Sequence, residues 1–119
     1  MPSSRRSPSP EVTAFRVAVE GSCKQLRDQV RQQARLIRSG AVGELTEADA
    51  GRMAEDITAA ARARLDAAAP DYQTADAELQ ATRREAAMLM AVSAREADAE
   101  LRKAWRARHE EAAGRRWRR

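Results

Sequence analysis

Arginine and tryptophan interleave at the end of this chain in a way that suits a polyanion. Residues 101–119 carry eight basic side chains, Arg102, Lys103, Arg106, Arg108, Arg115, Arg116, Arg118 and Arg119, against two acids, Glu110 and Glu111. That segment has a net charge of +6, where the whole 119-residue chain has +4. Both tryptophans of the chain, Trp105 and Trp117, fall inside it. Cationic groups neutralise phosphates, while flat rings stack on bases or settle at lipid headgroups. The eight basic residues and the two tryptophans are therefore the expected nucleic-acid-binding set, gripping largely without regard to sequence. Contact of the same end with a membrane surface is the weaker expectation. Against both stands the plain reading of a solvated helix end whose cations complement the helix dipole.

A second basic line, Arg27, Arg31, Arg35 and Arg38, is spaced 4, 4 and 3 and flanked by Gln25, Gln29, Gln32 and Gln33. Arginine and glutamine on one helix could read base edges in a major groove. The favoured reading is a solvated face that pairs with acids elsewhere, because residues 40–100 hold 13 acidic and 6 basic side chains, net −7. A helix-turn-helix around residues 45–57 does not fit, since Gly51 comes too early and the apolar pattern runs on without a break.

Catalytic chemistry finds no foothold. His109 is the sole histidine and lies in the arginine-rich end, and the adjacent Glu55 and Asp56 point to different sides of a helix. No glycine-rich phosphate loop is present. The single cysteine, Cys23, excludes an intrachain disulfide and reads as a small core residue. The expectation is a protein that is not an enzyme, with no cofactor and no metal.

The elements that must hold these residues are helices. Twenty-seven alanines, few β-branched residues, five glycines and four prolines make an all-α chain, and aromatics are only 3%. Residues 1–9, rich in Ser, Pro and Arg, are expected to be disordered. Ser9, Pro10 and Glu11 read as the start of a first helix over 10–39. Its apolar stripe is Val12, Phe15, Val19, Cys23, Leu26, Val30, Ala34 and Ile37, and Gly40 closes it. Thr46 with Asp49 resembles a capping box opening a second helix over 46–69, with Ala50, Met53, Ile57, Ala61, Leu65 and Ala68 inward and Gly51 weakening its first turns. Pro70 is expected to break the chain rather than bend it. The third helix is expected over 72–113, with Tyr72, Ala75, Leu79, Thr82, Ala86, Met90, Ser93, Ala97, Leu101 and Ala104 inward. Gly114 ends it and leaves residues 114–119 as a basic Arg/Trp tail.

The fold expected of the single domain 10–113 is an elongated, coiled-coil-like three-helix antiparallel bundle with a long overhanging C-terminal helix. Alanine dominates its apolar content, so the core is thin, and a second copy or a protein partner would help cover it. Met88, Met90 and Val92 are the candidate surface for self-association or a partner, because apolar residues there face more than one side. No apolar run approaches the roughly 18 to 20 residues a transmembrane helix needs, and no signal peptide is evident, so the expected setting is cytoplasmic. The leading expectation is an interaction protein that binds nucleic acid or another polyanion. The alternative is a helical assembly or adaptor subunit, as in a phage particle or secretion apparatus, whose basic tail docks an acidic protein surface.

Overall fold

The structure, a computed structural model, describes residues 10–69 and 77–117, with side chains through Gly114. The expected disorder of residues 1–9 and the third helix's start at Tyr72, with Ala75, lie outside the described residues. Three helices account for nearly all that is described: α1, Pro10–Ser39; α2, Glu47–Ala68; and α3, Ala77–Trp117. They pack against one another as an all-α bundle with a long C-terminal helix.

Three helix boundaries have a local cause. α1 stops in a Schellman motif: the Ala41 N–H donates to the Leu36 carbonyl at 3.0 Å and the Gly40 N–H to the Ile37 carbonyl at 3.2 Å. Gly40 takes the left-handed φ of 79° that this geometry needs. α2 opens with the capping box. The Asp49 N–H donates to the Thr46 hydroxyl at 3.1 Å, and the Thr46 N–H donates back to the Asp49 carboxylate at 3.0 Å. It ends at Ala69, whose φ of −69° and ψ of 134° are extended. A residue before proline is pushed out of the helical region, so the chain breaks ahead of Pro70, as expected.

α3 does not stop at Gly114. It continues to Trp117, and Gly114 has no positive φ. Glycine costs a helix about 1 kcal/mol, too little to end one flanked by alanine and arginine. The segment 115–117 is therefore helix rather than tail.

Side-chain levels fix the topology. Phe15 of α1 lines one cleft with Leu65 of α2 and Ala86 and Met90 of α3. Leu26 and Val30 lie level with Ser93 and Ala97, and Arg38 with Glu111. α1 and α3 therefore run parallel and packed on each other, with α2 antiparallel to both. The core runs the length of the rod through Phe15, Leu26, Val30, Ile37, Leu65, Met90 and Leu101, with alanines between.

Two helices bury slightly different faces from those the sequence pattern implies. On α1, Ser22 is buried where Cys23 was expected, and its hydroxyl donates to the Ala61 carbonyl at 3.2 Å. On α2, the buried set is Ala50, Gly51, Ala54, Thr58, Ala61 and Leu65, while Met53 and Ile57 are only half-buried and Ala68 is exposed. Small residues let α2 come close to its neighbours, and the Thr58 hydroxyl is satisfied by the Ala54 carbonyl at 2.8 Å. Close approach won over side-chain size in choosing the inner face. Among the described residues, no helix is long and apolar enough to cross a membrane.

Candidate nucleic-acid interface

The loop between α1 and α2, residues 40–46, organises the basic end of the rod, because α3 lies across it. Leu101 is fully buried and Ala104 nearly so, which keeps α3 packed on the core up to this loop. Trp105 follows Leu101 by four residues and packs half-buried against the same core. Its indole N–H donates to the Leu45 carbonyl at 2.5 Å, tying α3 to the loop. His109, one turn on, stacks on that indole with ring centroids 3.9 Å apart and 29° between planes.

Three of the expected nucleic-acid ligands are thus committed to the bundle itself. Trp105 is a structural anchor, its N–H taken by the loop and its ring by the core and His109. The Arg102 guanidinium spans both Asp98 oxygens at 3.0 and 3.1 Å and lies 4.0 Å from Glu47. It reaches Glu47 by crossing the buried Gly51, where any Cβ would meet it. Arg106 bonds the same Glu47 through Nε at 3.0 Å and Nη2 at 2.5 Å. One carboxylate at the start of α2 therefore holds two arginines of α3. Here the acidic middle of the chain neutralises part of the basic end.

The rest of the set stands differently. Lys103 is exposed, with no ion pair among the described residues. Arg108 is half-buried over the loop, its guanidinium so near Gly40 that a Cβ there would sit 2.7 Å from Nη2. Arg115, Arg116 and Trp117 continue the α3 backbone. Their side chains, with Arg118 and Arg119, lie outside the described residues. α3 is docked as far as Glu111 and Ala112, so its overhang is roughly its last turn and a half, shorter than the long overhang expected.

The arginine line of α1 arrives at the same end. Arg31, Arg35 and Arg38 are exposed and line one shallow cleft with Asp28 and Glu100. Arg38 lies 3.9 Å from Glu111, while Arg27, Arg31 and Arg35 have no ion pair among the described residues. The line is mostly solvated rather than paired with the acidic helices.

Electrostatics at the start of α2 follow from hydrogen bonding. The Asp49 carboxyl is held below its ordinary value of 3.8, first by the Thr46 N–H and then by Arg52 and the Thr46 hydroxyl.

Of the candidate partner residues, Met88 and Val92 are 71% and 45% exposed, but Met90 is a core residue at 3%. Adjacent helix positions point about 100° apart, so Met90 cannot share a face with Met88. Leu89, 50% exposed, joins the surface instead. No protein-family model matches this chain, and no curated protein or solved structure matches it.

Proposed function

We propose that this chain is a non-enzymatic interaction protein that grips a polyanion, nucleic acid by preference, at the end of the rod where α1 and α3 finish together. The supporting observation is convergence: the solvated arginine line of α1 runs along α3 from the level of Glu100 to that of Glu111, where Arg38 meets it and the C-terminal run of α3 begins. The working residues are then Arg31, Arg35, Lys103, Arg115, Arg116, Arg118 and Arg119, with Trp117 as the stacking ring. Arg102, Trp105 and Arg106 position the helix that carries them. Guanidinium groups on two parallel helices suit the spaced phosphates of a backbone better than a single compact anion.

The test is binding of a fluorescent oligonucleotide across a salt series. With about six phosphates neutralised, log affinity falls against log salt with a slope near −5, and removing residues 115–119 brings it to about −2. A truncated chain that binds with an unchanged slope, or a full chain that shows no binding at low salt, defeats the reading. The second reading, an assembly or adaptor subunit, draws on the exposed Met88, Leu89 and Val92, which nucleic acid binding leaves unused.

A further inference from the structure

We propose that two copies of this chain pair through the outward face of α3, antiparallel, about a two-fold axis passing beside residue 90. This rests on no assumption about polyanions. The face opposite the core carries Ala81, Glu85, Met88, Val92, Arg95 and Ala99, spaced 4, 3, 4, 3 and 4. That is a second heptad seam on the back of a helix whose front seam is already buried. All but the half-buried Ala81 are exposed, and neither Glu85 nor Arg95 has an ion pair among the described residues.

The occupant follows from the order of the residues. An isologous pair needs a surface complementary to itself after a half-turn. Placing the axis at residue 90 sets 81 opposite 99, 85 opposite 95 and 88 opposite 92 of the second copy. Alanine meets alanine at each end, Met88 meets Val92 at the centre, and Glu85 meets Arg95. Every layer is complementary, and each occurs twice. Leu89, half exposed, flanks the axis and faces its own counterpart. A parallel pair would instead put Glu85 on Glu85 and Arg95 on Arg95, so the charges select the antiparallel arrangement. About five turns of helix on each copy make a small interface, consistent with a dissociation constant in the micromolar range. The arrangement places the C-terminal ends of α3 about 40 Å to either side of the axis.

Sedimentation of the nuclease-treated full chain across concentrations is the test. Wild type is expected to dimerise reversibly without nucleic acid. Glu85→Arg alone and Arg95→Glu alone are each expected to raise the dissociation constant about tenfold, and the double reversal to restore it. Circular dichroism of the same variants is expected to match wild type, since both positions are exposed. The proposal is overturned by a chain that stays monomeric to millimolar concentration, by a dimer indifferent to the single reversals, by a double reversal that fails to restore pairing, or by pairing that appears only with nucleic acid.

Discussion

Trp105 shows how one side chain changes meaning once its neighbours are placed. Its composition class, aromatic among arginines, points to stacking on a ligand, yet its indole is spent on the Leu45 carbonyl and its ring on the core and His109. Trp105→Phe keeps the ring and is expected to cost about 1 kcal/mol by leaving that carbonyl without its donor. Trp105→Ala also empties a half-buried site and is expected to cost about 2–3 kcal/mol. Chemical denaturation of the two variants checks both. A ligand-stacking residue would instead leave stability unchanged and lower oligonucleotide affinity. The methionines divide in the same way. Met90→Ala is expected to lose about 2–3 kcal/mol, and the exposed Met88→Ala less than about 0.5 kcal/mol at concentrations where the chain is monomeric.

At the scale of elements, the ends that carry a local motif, the stop of α1 and the start of α2, were the most legible features, and the inner face of α2 the least. Capping is local: Thr46 and Asp49 lie within one turn, and Gly40 supplies a backbone conformation that other residues resist. Thr46→Ala is expected to destabilise the bundle by about 1 kcal/mol in thermal melts. The same box gives a signed pH dependence. Asp49 has its pKa lowered on folding, so its contribution is complete above the ordinary value of 3.8 and fades as pH falls through the lower folded value. Asp49→Asn is expected to flatten that acid limb while leaving neutral-pH spectra unaltered. The inner face of α2 was harder to read because Met53 and Ile57 advertise hydrophobicity, whereas Ala54, Thr58 and Ala61 permit close packing. Helix–helix distance is a property of the pair, which one helix's pattern does not contain.

The molecule as a whole is a rod with principal extents of 78 × 25 × 17 Å, closed at one end where α3 crosses the 40–46 loop. Because docking extends only to about Ala112, a chain ending at Ala113 is expected to melt within a few degrees of the full one. A chain ending at Ala104, lacking Trp105 and Arg106, is expected to melt far lower. Calorimetry separates them, and only the larger truncation should loosen the packing of α1. Charge follows the same geometry. Glu47 draws Arg102 and Arg106 inward while the α1 arginines remain in solvent, so the basic end is smaller than the C-terminal segment but broader than one helix.

Sequence alone determined the all-α class, the three-helix count, the α1 stripe apart from Ser22, the cap at Thr46, the stop at Gly40 and the break before Pro70. These rest on periodicity and on hydrogen bonds within a turn, which neighbouring residues specify. Only the tertiary structure decided that Glu47 sits under Arg102 and Arg106, that Trp105 belongs to the bundle, that Leu89 stays outside with Met88, and that the arginine line of α1 ends beside Glu111 of α3. Each of these joins residues far apart in the chain or depends on how closely helices approach, and both are set by the packing of all three together.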